Sequence, residues 1–468
     1  MTRIASVLHS GILLSALFAS VVYGQETQLG ADFRGEADRL KSNCSSFQLA
    51  SIGSCAEQLF TDHPMHIATG SLAPQNGFGF GPAFVAHWTP NESWRLSWNA
   101  DAVATPNGSW RAGAYMIAVL NRHRKIGVST GGTGSTAVSN LAVEEYPVFH
   151  VLAQSISLNQ IGFFGEGPNS LDTARSYYGM RQTIFGTNAI WPIYGKFNLS
   201  IYGEANGRFV DIRPSLGRTS PTIEQLYSAA TAPGLNSQPA FAQLGEGIRF
   251  RPQLAAGYLR LNYLVTLQQY IAAGDSTFSF QRLTVDLSHQ FPLYRRTRSN
   301  LPREFNGPDE CSTAPGSSSC PAITRDLEGS FNIRFLMNES FVPSGHVVPF
   351  YFQPTLGGSD INGNPALSSY QDYRFRAPNT LLVRASFEHS IYGPLGFMAM
   401  VDAGKVALTH GDIDFTHLLR SYSVGLTLRA GGFPMVSLLY SWGGNEGTHT
   451  TAAVNTSLLG GSARPSLY

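Results

Sequence analysis

His63 and His66 stand three residues apart around Pro64 and Met65, a spacing at which two imidazoles can reach one metal ion. Proline breaks the helical turn that would align them, and no third ligand follows, so no metal site is expected. The chain has no HExxH, and no histidine at telling spacing from a serine and an acid. Gly131-Gly132-Thr133-Gly134-Ser135 has the glycines of a phosphate cradle but lacks the lysine and the strand-to-helix context, which leaves a flexible loop. No enzymatic activity and no cofactor are therefore expected. Cys44 and Cys55 form one close pair and Cys311 and Cys320 another, each flanking a polar, serine-rich stretch. Local loop disulfides in an oxidising compartment are the simplest expectation, and no CxxC or HxxxH spacing argues for metal instead.

The remaining polar chemistry is spread along alternating segments. Arg282, Thr284, Asp286, Ser288 and Gln290 share one side of a period-two run, with Leu283, Val285 and Leu287 on the other. Tyr422, Val424, Leu426 and Leu428 oppose Ser421, Ser423, Thr427 and Arg429 in the same way. Arginine recurs with aspartate or glutamate on the polar sides, as a hydrated interior would require. Segments of ten or more residues, tilted, cover roughly 25 Å, whereas soluble strands usually stop at about five or six residues. Sixteen such segments run from 78–89 to 433–443, among them 125–142, 246–255 and 346–355. The fold expected is an all-β, closed antiparallel transmembrane barrel of about sixteen strands with long extracellular loops. Stretches 213–245, 293–326 and 356–377 would be those loops, opposite short turns such as Pro90-Asn91-Glu92.

Composition agrees. Charged residues are 13% of the 468, Gly numbers 48, and there are 29 Phe, 19 Tyr and 6 Trp, while mean hydropathy is only −0.07. That is too polar for a bundle of membrane helices and too sparsely charged for an ordinary soluble domain. A net charge of +1 gives no reason to expect a nucleic-acid partner. Residues 1–24 read as a signal peptide: Arg3 supplies the positive region, Ile12–Val22 the apolar core, and Val22-Tyr23-Gly24 the cleavage site. Residues 25–76 would follow as a short periplasmic leader or plug, mildly helical at Phe33–Leu40, then the barrel over 77–443 and a polar tail over 444–468.

Four pieces near the end carry a resemblance. Leu356-Gly357-Gly358-Ser359-Asp360, then Leu367-Ser368-Ser369-Tyr370, then Tyr373-Arg374-Phe375-Arg376 resemble the sixth extracellular loop of the BamA/TamA-type outer-membrane assembly superfamily, the bacterial surface antigen family. Leu381–Ile391 and Val401-Asp402-Ala403-Gly404-Lys405-Val406 resemble the two strands that follow it there. The resemblance implies a loop folded into the lumen, pinned by a tip arginine on wall carboxylates, here Glu388 and Asp402. Where the family has Leu-Arg-Gly-Tyr this chain has Ser368 for the arginine, ahead of Tyr370, and Arg374 or Arg376 is expected to supply the missing cation. Too few residues lie before 77 for the family's polypeptide-transport-associated domains, so a barrel-only branch is implied.

The function implied is insertion or translocation across the bacterial outer membrane, through a weak seam between a first strand near Phe78–Thr89 and a last near Phe433–Trp442. Outer-membrane lipid and unfolded outer-membrane or secreted proteins would be its partners, with the protein itself a monomer. A passive channel with a loop-plugged lumen is the alternative, and an outer-membrane enzyme the third.

Overall fold

The computed structural model describes residues 34, 35, 38 and 41, and 64–120, 146–216, 221–255, 258–298, 323–392, 395–430, 433–444, 446–454 and 464–468. The signal segment, His63, the glycine run 131–135 and the candidate strand 125–142 lie outside the described residues. So do Cys44, Cys55, Cys311 and Cys320, and with them both expected disulfides. The chain divides into two units, 1–65 and 66–468. In the first, residues 34, 35, 38 and 41 are helical, in keeping with the helical stretch expected there.

Among its described residues the second unit is all-β, with almost no helix beyond the turn Ile223–Leu226. Seventeen strands among the described residues form one sheet. β1 (Met65–Ser71) pairs with β2 (Phe78–Asn91). From β2 the sheet passes antiparallel through β3 (Trp94–Ala104), β4 (Trp110–Leu120), β5 (Val148–Phe163), β6 (Ser176–Tyr194), β7 (Leu199–Pro214) and β8 (Ala240–Phe250). The two-residue β9 (Gln253–Leu254) flanks β10 (Leu259–Ala273), which pairs with β8 on one side and β11 (Phe280–Arg298) on the other. β12 (Ile323–Phe341) follows, and then a long excursion containing the small ladder of β13 (Thr355–Leu356) and β14 (Phe375–Arg376). The wall resumes with β15 (Asn379–Tyr392), β16 (Leu395–Ala407), β17 (Leu419–Ala430), β18 (Phe433–Trp442) and β19 (His449–Val454).

Burial on these strands is inverted relative to a water-soluble sheet. On β17, Ser421, Ser423 and Thr427 are buried, while Tyr422, Leu426 and Leu428 are exposed, Leu428 to 52%. On β7 and β8, Asn206, Arg208 and Gln243 are buried, whereas Ile201, Phe209, Leu244 and Ile248 face out. In water this arrangement forfeits about 25 cal/mol for each Å² of apolar surface left exposed. Against lipid it is the favourable order, greasy outside and hydrogen-bonded inside.

Several expectations need correction. Residues 346–355 are not a wall strand. Pro349 and Pro354 cannot donate to a ladder, and the neighbouring donors serve other loops: Val347 N–H to Thr277 O (2.9 Å) and Phe350 N–H to Pro233 O (2.8 Å). Phe350, Tyr351 and Phe352 form a 3-10 turn with all three rings buried. The segment read as one strand over 246–255 is instead the end of β8, which runs Ala240–Phe250, followed after Pro252 by the two-residue β9. The sheet also reaches beyond 77–443, taking in β1 and β19 from the stretches read as leader and tail. Antiparallel alternation then puts the connections 164–175, 215–239, 342–378 and 408–418 at one end, and the turns at 92–93, 195–198, 251–258 and 393–394 at the other. β11 ends and β12 begins at the short-turn end, so the connection read as 293–326 does not share an end with the other long ones.

Candidate functional site

The excursion 342–378 packs onto the polar face of the sheet, and its shape follows from a few residues. Gly357 (φ 109°) and Gly358 (φ 59°) make a bend where a Cβ at 357 would press into Arg374 and the Gln371 carbonyl. Asp360 organises the next turn, accepting the N–H groups of Asn362 (2.9 Å) and Asn364 (2.7 Å) on Oδ1 and the Asn364 amide on Oδ2 (3.0 Å). The tip follows at Pro365–Tyr370. Leu367 is fully buried with φ of 51°, a left-handed conformation that costs a non-glycine residue about 1–2 kcal/mol. Something must hold it there.

Asp402 does so. Its carboxylate, 1% exposed, accepts the Leu367 N–H on Oδ2 at 2.9 Å. Arg384, directly opposite in the β15–β16 register, grips the same carboxylate through Nε (2.7 Å) and Nη2 (2.9 Å). That Nη2 also donates to the Pro365 carbonyl at 2.6 Å, so cation and anion both bind the loop backbone. Ser421 on β17 adds a third anchor, its Oγ accepting the Ser369 N–H at 2.9 Å. Leu356, Leu367, Tyr370 and Phe375 of the loop cluster with Leu382 and Val406 of the wall.

The expected partners are thereby redrawn. Ser368 is completely buried, and its hydroxyl has no hydrogen-bond partner among the described residues. Tyr370 packs edge-on to Phe375 at 5.1 Å and against Gly444. Arg374 turns to Glu446, not Asp402: Nε lies 2.6 Å from its carboxylate, and Nη1 and Nη2 donate to Ser170. Arg376 donates to the carbonyl of Phe350 (2.7 Å) and the Tyr178 hydroxyl (3.3 Å). Glu388 lies four residues beyond Arg384 on β15, opposite Ser330 and Met398. The cation at the latch is therefore Arg384 from the wall. The alternation along 381–391 puts it on the polar face, but only the strand register brings it to Asp402.

No family model matches the chain, and no curated protein matches it in sequence. Many solved structures are similar, three outer-membrane barrels among them. CdiB from Escherichia coli shares 10% identity at a TM-score of 0.47, over 89% of this chain and 74% of its own. BamA from Haemophilus ducreyi, lacking POTRA domains 1–3, shares 10% at 0.45, over 89% and 81%. CdiB from Acinetobacter baumannii shares 11% at 0.45 over 83% of this chain, which spans only 58% of that protein's length.

A second inward segment, 464–468, meets the loop. Arg464 Nη2 lies 3.0 Å from Asp101 on β3, which also pairs with Arg111 of β4 at 2.8 Å. The Ser466 carbonyl accepts from Arg208 Nη1 on β7 at 2.8 Å. The Leu467 N–H donates to Asn362 Oδ1 (2.9 Å), and the Tyr468 hydroxyl donates to Asp360 Oδ2 (2.9 Å). None of these partnerships carried a signal in the sequence. Between loop, segment and wall lies a polar cavity of about 1060 Å³.

At the long-loop end, Glu166 accepts from Gln353 Nε2 at 2.6 Å, and the Gly167 N–H binds the Arg376 carbonyl at 2.7 Å. Burial pushes the Glu166 carboxyl up to about 7, with the Gln353 bond and the nearby Arg376 charge opposing. A carboxyl whose pKa is raised by folding stabilises the fold in its protonated form. That contribution is complete below the ordinary glutamate range and is lost as pH rises through about 7. Unfolding measured from pH 5 to 8 should therefore show about 2 kcal/mol of stability lost on the alkaline side, and Glu166→Gln should flatten that slope.

Proposed function

We propose that the sheet closes, β19 against β1, into a sixteen-stranded barrel in a bacterial outer membrane, where it promotes insertion or translocation of other proteins through that seam. Closure draws support from three observations. β1 and β19 run in opposite directions by strand alternation, which suits an antiparallel seam. Asp101 on β3 and Arg208 on β7 bind one short segment, whose last two residues bind the loop pinned on β16, although these strands are far apart in sheet order. Without β9, sixteen strands remain to make the wall. A membrane setting is supported by exposed aromatics at both ends: Phe78, Phe80, Trp110 and Phe415 at one, Trp88, Trp191, Tyr194 and Tyr392 at the other.

The observation that carries the function is the shortness of the end strands. β1 has 7 residues and β19 has 6, against 10 in β18 and 19 in β11. Fewer ladder hydrogen bonds make that seam the cheapest place to part. Bare edges in lipid cost several kcal/mol per group, so an opened seam favours an incoming strand that pairs with it. On this reading the seam lies between β1 and β19 rather than between the strands near Phe78 and Trp442. The loop latched to β15, β16 and β17 keeps the rest of the wall closed while the seam moves. No catalytic role is part of this reading.

The polar cavity favours one competing function, a passive channel. Folding of a urea-denatured small barrel protein into vesicles separates the two. Vesicles carrying this protein should fold the client faster than empty ones, and a cysteine crosslink across the β1–β19 seam should abolish the gain. Steady ion-selective conductance in planar bilayers with no effect on client folding would favour the channel and end the insertion reading.

A further inference from the structure

The cations facing the cavity are not equally neutralised. Arg334 holds Asp286 with two bonds, 2.8 and 2.9 Å, and Arg111 and Arg464 share Asp101. Arg282 differs. It is 1% exposed, and no carboxylate lies within salt-bridge reach among the described residues. Its Nη2 donates to the Phe352 carbonyl (2.6 Å) and its Nε to Ser340 Oγ (3.3 Å), while Nη1 is buried without a partner. A second buried cation stands beside it: the Tyr270 ring lies 5.6 Å from the Arg282 guanidinium carbon and 5.9 Å from that of Arg208. Arg208 reaches a carboxylate, Glu204, through the Gln243 amide, and Glu204 also accepts from Gln268, which stands opposite Arg282 in the β10–β11 register. One carboxylate, at second hand from Arg208, thus stands against two buried guanidiniums, an excess of positive charge that a low-dielectric interior makes costly.

Arg282 lines the cavity together with Thr355, three residues after Phe352. Thr355 Oγ1 is also buried without a hydrogen-bond partner, and so is the Tyr270 hydroxyl. The cavity's other acids are committed elsewhere: Asp360 to the Asn362–Asn364 turn and Tyr468, Asp372 to the Ser359 N–H. A water molecule would satisfy the orphaned donors but not the charge. An oxyanion does both, because its several acceptor oxygens can bridge a guanidinium and a hydroxyl.

We propose that Arg282 Nη1 and Thr355 Oγ1 form a binding site for a phosphate-type oxyanion inside the sheet, either free or as the headgroup of a lipid. The full chain in uncharged detergent is titrated with inorganic phosphate, chloride being withdrawn to keep ionic strength constant, and its thermal unfolding followed. Phosphate should stabilise saturably where chloride does not. Arg282→Gln should weaken binding about tenfold or more, the loss typical of one charge-assisted contact. Thr355→Val keeps the side-chain shape, folds even where Arg282→Gln fails, and should weaken binding several-fold. Arg181→Gln, at an exposed pair with Asp211 away from the cavity, should bind as the parent does. A short-chain phosphatidic acid that binds tighter than phosphate, with the same two losses, assigns the site to a lipid headgroup; no gain over phosphate assigns it to the free ion. Phosphate and lipid both indistinguishable from chloride, or Thr355→Val binding like the parent, would overturn the proposal.

Discussion

Asp402→Ala should lower the unfolding free energy by about 3–5 kcal/mol, the usual consequence of deleting one partner of a buried ion pair. The carboxylate holds three things at once: both nitrogens of Arg384 and the Leu367 N–H. Its removal leaves a buried guanidinium unpaired and removes the bond that keeps Leu367 left-handed. The tip should then relax away from the wall, and the Leu367 and Ser369 amides should lose protection in hydrogen exchange. Arg384→Met makes a useful contrast. It leaves the Leu367 bond possible but strands the carboxylate, so stability should still fall while the Leu367 amide keeps more of its exchange protection than in Asp402→Ala. Equal exchange at Leu367 in Asp402→Ala and the parent would show that apolar packing, not the ion pair, holds the loop.

Strand character was legible wherever the alternation ran long, as on β17 and β11, because period-two patterning records directly which side chains share a face. β1 and β19 escaped because 7 and 6 residues give too little alternation to stand out. The stretch 346–355 misled in the opposite direction. Its apolar residues read as a wall strand, yet Phe350, Tyr351 and Phe352 are apolar because they fill the interior from a loop. At the latch, the carboxylate and the loop were legible but the cation was not. Arg384 and Asp402 meet only because the β15–β16 turn sets one register, and a slip of one residue would put them on opposite faces. Single-sequence reasoning lacks that offset. It therefore favoured Arg374 and Arg376, adjacent to the tip in the chain but committed to Glu446 and the Phe350 carbonyl in space.

The same logic makes Asp101 the more consequential carboxylate for the inward segment. It accepts from Arg111 at 2.8 Å and Arg464 at 3.0 Å, with the first pair only 5% exposed on either side. Asp101→Asn leaves two guanidiniums facing each other with no anion between them, and about 3–5 kcal/mol of stability should go with it. Arg464 is the more exposed of the two cations, at 27%, so it can withdraw to water where Arg111 cannot. Withdrawal peels residues 464–468 off Arg208, Asn362 and Asp360 in turn, and their amides should exchange freely. Arg464→Gln alone should be far milder, near about 1 kcal/mol, since the Arg111–Asp101 pair survives. The double variant decides the matter. Because Arg464→Gln removes the repulsion that Asp101→Asn creates, Asp101→Asn with Arg464→Gln should be more stable than Asp101→Asn alone. Strict additivity of the two losses would mean that the segment is held by Arg208 and Asn362, with Asp101 serving only Arg111.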